Sequence, residues 1–272
     1  MVPGTTPEGW ERMADAHEAP AGVGTATERG RRLRAGVKSH VRAFVRTPIN
    51  VVLLVALPIV MVEGYGMAMG AFPSLPFLNP EQMVEMGRVN GAIYTVSFFA
   101  GVLGLFQVIS ALQADERLRI CGYSRAELFL TRLVTVVLGT LVITLVSLAV
   151  LWYSTPVEAP VAAFGGLALA GLLYGLIGML VGAVLPRALE GSLVIVFVVD
   201  ADDFLSSGML DLDALILNAF PLHFPHQLFR DAVFDGSVAS GDAAGGVAYL
   251  LVALAVVAVL YVSLTGDGGV AA

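Results

Sequence analysis

The sequence predicts an all-α integral membrane protein with six transmembrane helices, an N-terminal amphipathic interfacial helix and a re-entrant segment between spans 5 and 6. Of its 272 residues, 57% are hydrophobic and only 14% are charged, whereas soluble domains carry about 25% charged residues. The mean hydropathy is +0.83. Apolar runs recur after residue 50 without the alternation of β-barrel strands, and backbone amides in lipid need the internal hydrogen bonds of a helix.

Six apolar runs are each long enough to cross a hydrocarbon core of about 30 Å at about 1.5 Å per residue. These runs, spans 1 to 6, cover residues 50–72, 91–113, 133–153, 161–185, 191–208 and 244–264. The chain therefore divides into four parts: a disordered cytoplasmic tail at 1–26, an interfacial helix at 27–48, a six-helix transmembrane domain at 49–264 and a cytoplasmic tail at 265–272.

A cationic amphipathic helix is predicted before span 1. Apolar residues recur there at helical spacing, and a parallel stripe of basic residues repeats every four positions: Arg34, Lys38, Arg42 and Arg46. Such a helix either lies on anionic lipid headgroups as an anchor or contacts a cytoplasmic partner, and both roles can hold together. Pro48 is predicted to end it.

Basic residues lie almost all on one side of the predicted spans. Thirteen of the fifteen precede span 1 or lie in the loops at 114–132 and 186–190, and only Arg88 and Arg230 lie on the other side. By the positive-inside rule the N-terminus and both loops are cytoplasmic, and six spans put the C-terminus there too. The acidic outer segments and the single lysine among the cations point to the cell membrane of a prokaryote.

The chain lacks motifs for nucleotide or metal chemistry. It has no Gly-rich loop ending in Lys and Ser or Thr, because Lys38 is its only lysine and lies among arginines. A metalloprotease His-Glu-x-x-His and a serine-nucleophile elbow are also absent. His223 and His226 flank Pro225, which disfavours a ligand-bearing helical turn, so we predict turn or packing roles for them rather than a metal site. No catalytic residue, metal or bound cofactor is expected.

The loop after span 2, residues 114–132, is longer than the about two to eight residues that join packed helices. Its first half is charged, and a break at Gly122-Tyr123-Ser124 follows. Ser124 is placed to cap a helix that continues through Glu127 into span 3. Such a loop can dock on a partner as well as connect two helices.

Four segments, in order, resemble the six-span permease subunits of ABC-2 type exporters, and the similarity covers residues 27–264. They are the basic helix running through Arg46-Thr47-Pro48 into a span with Leu57-Pro58, the charged loop with Glu116, Arg117, Leu118, Arg119, Gly122 and Ser124, the Phe204-Leu205-Ser206-Ser207-Gly208 end of span 5, and Asn218-Ala219-Phe220-Pro221-Leu222-His223 ahead of Arg230. The family usually has proline where this chain has Gly122.

The resemblance implies that two such chains, as a homo- or heterodimer, face each other around a substrate pathway in the membrane. Each would dock a separate cytoplasmic ABC ATPase that holds ATP and magnesium, so this chain would neither hydrolyse ATP nor bind nucleic acid. The docking residues would be Glu116, Arg117, Arg119, Gly122, Ser124, Arg34, Lys38 and Arg42. Segment 211–240 would form re-entrant helices whose apolar residues pack on spans 5 and 6: Leu215, Ile216, Leu217, Phe220 and Phe224.

Polar groups within the spans favour a transporter over the alternative of a non-transporting membrane anchor or assembly scaffold. Both classes pack helices closely, so the small-residue stripe of span 4 fits either: Gly171, Gly175, Gly178 and Gly182. Glu63, Gln107 and the acidic run of span 5 favour transport, because such groups persist in a bilayer mostly where they meet water or partners. A third class, an ion-coupled carrier, would show an internal inverted repeat, which is missing.

The acidic run of span 5 consists of Asp200, Asp202 and Asp203. A helix from the inner face rises about 16 Å by Asp200, close to the middle of the bilayer. Asp200 and Asp203 share a helical face and are predicted, with Glu63, to line the pathway, while Asp202 points about 160° from Asp200, toward a neighbouring span. Alternatively, span 5 breaks at Asp200 and leaves all three in the outer aqueous layer. Drug-like amphiphiles, lipid-linked molecules and inorganic ions all stay open as substrates.

The distribution of basic residues generates a test of orientation. Cysteines introduced near Arg32 and Asp267 should stay unlabelled by an impermeant reagent in intact cells, because both termini are predicted to be cytoplasmic. Cysteines near Glu158 and Asp235 should be labelled. Labelling of the N-terminal position from outside would reverse the predicted topology.

Overall fold

The computed structural model describes residues 42, 46, 48–71, 80–110, 125–185, 187–207 and 217–264. This part of the chain contains seven α-helices and no β-strand: α1 (Pro48–Gly70), α2 (Pro80–Ile109), α3 (Arg125–Ser154), α4 (Pro160–Val184), α5 (Ala188–Ser206), α6 (His223–Phe234) and α7 (Ser240–Leu264). The all-α prediction is therefore confirmed for these residues.

Four of these helices, α2, α3, α4 and α7, are long and apolar enough to cross a membrane. The chain is thus built as an α-helical membrane protein. Helix α1 occupies predicted span 1, but its described apolar part, Leu54–Gly70, is shorter. Helix α5 occupies span 5 and carries four acidic residues: Glu190, Asp200, Asp202 and Asp203.

Several predicted regions lie outside the described residues. They are the tails at 1–26 and 265–272, most of the interfacial helix at 27–48, residues 114–124 of the predicted docking loop, and residues 211–216 of the predicted re-entrant segment. Within the predicted interfacial helix, Arg42 and Arg46 are helical and their side chains are exposed.

Two helices begin earlier than hydropathy predicts. Helix α2 begins at Pro80 rather than at residue 91. Helix α3 begins at Arg125, before the apolar run of span 3 and directly after Ser124, where the sequence predicts the helix cap. The predicted spans include only the apolar part of each helix. The first turn of a helix also accepts other residues: proline is favoured there, and the negative charge of Glu81 complements the helix dipole. Residues 125–132 of the predicted loop belong to α3, in agreement with the predicted helix that continues through Glu127 into span 3.

Helices α2 and α4 make the closest contact in the fold, through glycines. A Cβ atom added at Gly178 of α4 would lie 1.9 Å from the carbonyl oxygen of Gly101 in α2. One added at Gly104 of α2 would lie 2.1 Å from the carbonyl oxygen of Gly175. Only glycine allows two backbones to approach this closely.

The glycine stripe predicted on span 4 meets two neighbouring helices. Gly178 and Gly182 face backbone atoms of α2, at Gly101 and Leu105. Gly171 lies against both Thr140 of α3 and Val96 of α2, and Gly175 lies against Val136 of α3. The stripe therefore forms a groove that receives both helices.

Helix α6 lies across the bundle where α3 ends and α4 begins, and this end is called the α6 end below. The backbone amides of Glu158 and Ala159 donate to carbonyl oxygens in the last turn of α6 at 3.1 and 2.9 Å. Phe224 packs against Gly245 of α7, which is span 6, as predicted. The face of α6 that carries Phe229 packs on Gly166 of α4. This neighbour was not predicted, because the sequence pointed only to spans 5 and 6.

The α2–α4 contact generates a stability test. Gly178→Ala should destabilise the protein by about 1–3 kcal/mol, because the new methyl group meets a backbone carbonyl that cannot turn aside. Gly165→Ala is the matched control on the same helix, since a Cβ atom there has no neighbour within 4 Å. Thermal unfolding in detergent measures both. Equal melting temperatures for the two variants would contradict this packing.

Candidate polar site within the helix bundle

Ionisable side chains concentrate at the α6 end of an otherwise apolar bundle. Those of α1, α2 and α5 form an ion pair and an acidic cluster, and α6 adds His223, His226, Arg230 and Asp231. Such groups cost several kcal/mol in a bilayer unless they are paired or meet water. Their partners therefore indicate which of them hold the structure together and which are available for function.

The ion pair joins Glu63 of α1 to Arg88 of α2. Arg88 Nη2 and Nε donate to Glu63 Oε2 at 2.9 and 3.2 Å. Arg88 Nη1 donates to the carbonyl oxygen of Ser154 in α3 at 2.9 Å, and the Ser154 hydroxyl donates to Glu63 Oε1. Glu63, predicted to line a pathway, thus belongs to a cross-link between three helices.

Asp202 is held by three hydrogen bonds and is only 2% exposed. The Tyr174 hydroxyl of α4 donates to its Oδ2 at 2.6 Å, and the Leu222 backbone amide donates to the same atom at 3.1 Å. Ser206 Oγ donates to Oδ1 at 3.1 Å. Asp202 therefore faces a neighbouring helix, as its spacing predicts, and fastens α5 to α4 and to the residue before α6.

Asp203 is equally buried, at 5% exposure, but differs in its partners. Its Oδ1 has no hydrogen-bond partner among the described residues. The charged groups that act on it are Asp202 and Asp200, which are both acidic. A buried carboxylate oxygen without a donor is costly, so this atom is the natural place for a ligand or for water.

Asp200 lies on the exposed side of α5. Its neighbours on that side include Phe197 and Phe204, which are 71% and 52% exposed. The Asp200 carboxylate lies beside the hydroxyl of Tyr94 in α2. Helix α5 does not break at Asp200, as the alternative supposed, because it continues to Ser206.

Three aromatic rings lie next to the acidic cluster. Tyr65 of α1 stacks on Tyr94 of α2 with ring centroids 5.4 Å apart, and Tyr94 stacks on Phe98 at 5.9 Å. All three side chains are partly exposed. The charges of Asp200 and Asp203 act on both tyrosine hydroxyls. The tertiary structure therefore joins carboxylates of α5 to aromatic rings of α1 and α2.

The prediction that Pro225 disfavours a helical turn at His223 and His226 is wrong. Both lie in the first turn of α6, of which His223 is the first residue. Pro225 is tolerated there, because first-turn amides have no partner within the helix. His226 Nε2 lies 3.2 Å from Asn90 Oδ1. Because an amide oxygen can only accept, Nε2–H of His226 donates this hydrogen bond, and burial lowers the pKa of His226 to about 4. Among the described residues, no group of three or more His, Cys, Asp or Glu could hold a metal.

Arg132 was predicted as a loop charge but is a buried residue of α3, 3% exposed. Its Nη1 donates to the carbonyl oxygens of Gln107 and Val108 at 2.8 and 3.3 Å. These carbonyls belong to the last turn of α2, where helical acceptors lack partners and a positive charge is favourable. Arg132 thus joins the two helices that flank the predicted docking loop.

Of the predicted docking residues, only Arg42 lies within the described part of the chain, and its side chain is exposed. The other seven lie outside it: Glu116, Arg117, Arg119, Gly122, Ser124, Arg34 and Lys38. Sequence reasoning also missed Tyr174 as the partner of Asp202. A tyrosine amid the glycines and leucines of α4 was the available signal, because a buried hydroxyl needs a hydrogen-bond partner.

Comparison of the chain with protein-family models and with curated proteins finds no match.

The contacts of Asp202 generate a test of its structural role. Asp202→Ala should lower stability by about 1–3 kcal/mol for each buried donor left unpaired, and Tyr174→Phe, which removes one hydrogen bond, by about 1 kcal/mol. Asp200→Ala is the control, because Asp200 is exposed on the same helix. Thermal unfolding in detergent compares the three. A larger loss for Asp200→Ala than for Asp202→Ala would contradict the assignment.

Proposed function

We propose that this chain is the transmembrane permease subunit of an ABC-2 type ATP-driven exporter and forms the substrate pathway as a dimer. The observation that carries the proposal is the placement of Asp200 and Asp203 in α5. Asp200 is exposed among apolar side chains, and Asp203 has a buried oxygen without a donor in the described part. In a membrane such carboxylates belong beside water, a second chain or a cargo.

In this proposal the chain crosses the cell membrane of a prokaryote six times, with α1 and α5 as spans 1 and 5 and both termini in the cytoplasm. Helix α6 belongs to a re-entrant segment that caps the pathway on the outer side. Its buried face supports this, because irregular chain at membrane depth must pack on protein.

A separate cytoplasmic ATPase supplies the energy. It docks on the connection between α2 and α3 and on the basic N-terminal helix, and it binds ATP and magnesium. The hydrogen bonds of Arg132 support this role for the connection. They tie the N-terminal part of α3 to the backbone of α2, so a displacement of the loop would reach α2 directly. ATP binding would then shift the population between two arrangements of the helices by contacting one of them more favourably.

The alternative function is a non-transporting membrane anchor or assembly scaffold. Glycine packing of α2 on α4 and the Glu63–Arg88 pair suit a scaffold equally well, because they only hold helices together. The buried Oδ1 of Asp203, which has no hydrogen-bond partner among the described residues, would destabilise a scaffold without serving it. It therefore favours the exporter.

Copurification tests the exporter. The tagged chain, expressed in its own host, should copurify with a protein that contains Walker motifs, and the complex should hydrolyse ATP. Arg117→Glu with Arg119→Glu should reduce the yield of that complex about tenfold or more, because it reverses two charges in the proposed docking loop.

Arg187→Glu is the matched control for this charge reversal. Arg187 lies on the same predicted side of the membrane, outside the docking loop, in an exposed pair with Glu190. The complex should survive this change. Absence of any ATPase in the purified wild-type complex, or an unchanged yield with the double variant, would reject the proposal.

A further inference from the structure

We propose that the α6 end of the bundle binds a lipophilic organic cation between the carboxylates of Asp203 and Asp200 and the aromatic rings of Tyr65, Tyr94 and Phe98. The inference rests on the proposed function, because it names the class of cargo that the exporter would carry. It uses residues of α1, α2 and α5 that only the tertiary structure brings together.

The charge balance of the cluster favours a positive ligand. Asp202 already accepts three hydrogen bonds, so it holds the helix in place. Asp203 has a buried oxygen without a donor in the described part, and the charges that act on it are negative. Arg88, at the same end, is already paired with Glu63. A cationic ligand would supply the missing positive charge.

The aromatic stack decides between an organic and an inorganic cation. Small inorganic cations keep a shell of water or bind several oxygen ligands. A ring face offers neither, but it attracts large and weakly hydrated cations. Tyr94 stacks on both Tyr65 and Phe98, and the charge of Asp200 acts on its hydroxyl.

The surroundings of Asp200 favour a ligand with apolar groups. Phe197 and Phe204 flank it on the exposed side of α5. A lipophilic cation can bury its apolar groups against these rings while its charge lies next to the carboxylates. Such a ligand can also reach the site from the lipid phase, where amphiphilic cations accumulate.

Binding of tetraphenylphosphonium to the purified chain in detergent tests the proposal without an ATPase. We expect saturable binding at one site per chain. Asp203→Asn should weaken it by tenfold or more, and Tyr94→Leu by about threefold to tenfold, as expected for the loss of one charge and of the ring on which both Tyr65 and Phe98 stack. Tetraphenylborate, which has the same shape and the opposite charge, should not bind.

Asp235→Asn is the matched control, because Asp235 is an exposed carboxylate just after α6 and away from the rings. It should leave the affinity unchanged. Asp200→Asn provides a variant at an exposed position, which folds even if Asp203→Asn does not, and it should weaken binding by about threefold. Thermal unfolding of each variant separates loss of the site from loss of the fold.

Equal binding of tetraphenylborate, or unchanged affinity in both Asp200→Asn and Tyr94→Leu, would overturn the proposal. These outcomes are distinct from failure of the exporter itself. A copurifying ATPase without cation binding would reject only the class of cargo. Cation binding without any ATPase would reject the exporter and keep the site.

Discussion

The fold depends on the backbone contact between α2 and α4. The two helices approach so closely that a Cβ atom added at Gly104 of α2 would collide with the carbonyl oxygen of Gly175, and one added at Gly178 of α4 with that of Gly101. Because apolar side chains gain little by leaving lipid for protein, helix association in a membrane depends on such close packing. The pair forms a central unit, and the remaining helices lie around it.

Polar contacts then fix the outer helices to this unit at the α6 end. The Glu63–Arg88 pair fastens α1 to α2 and, through Ser154, to α3. Asp202 fastens α5 to α4. At the opposite end of α2, Arg132 binds the last carbonyl oxygens of that helix. Each of these bonds is stronger in a low-dielectric environment than in water, and each leaves a costly unpaired group when it is broken.

The acidic cluster illustrates how neighbouring residues of one helix acquire different roles. Asp202 and Asp203 are adjacent in sequence and both buried, yet among the described residues both oxygens of Asp202 accept hydrogen bonds and Oδ1 of Asp203 does not. The helical period rotates adjacent residues by about 100°, so the side chain of Asp203 leaves α5 in a different direction from that of Asp202, which meets Tyr174. In the described part of the chain, the carboxylate whose two oxygens both accept hydrogen bonds fastens the fold.

The sequence by itself determined the helical membrane class, most helix positions and the direction of Asp202, because composition, apolar run length and the helical period are local properties. It placed the start of α2 several residues late, since hydropathy does not register polar helical turns, whereas the cap at Ser124 predicted the start of α3. Only the tertiary structure decided the partners: Arg88 for Glu63, Tyr174 for Asp202, and α2 and α3 for the glycines of α4. Partners lie 25 to 91 residues apart along the chain, and a single sequence carries no local signal for pairs at such separations.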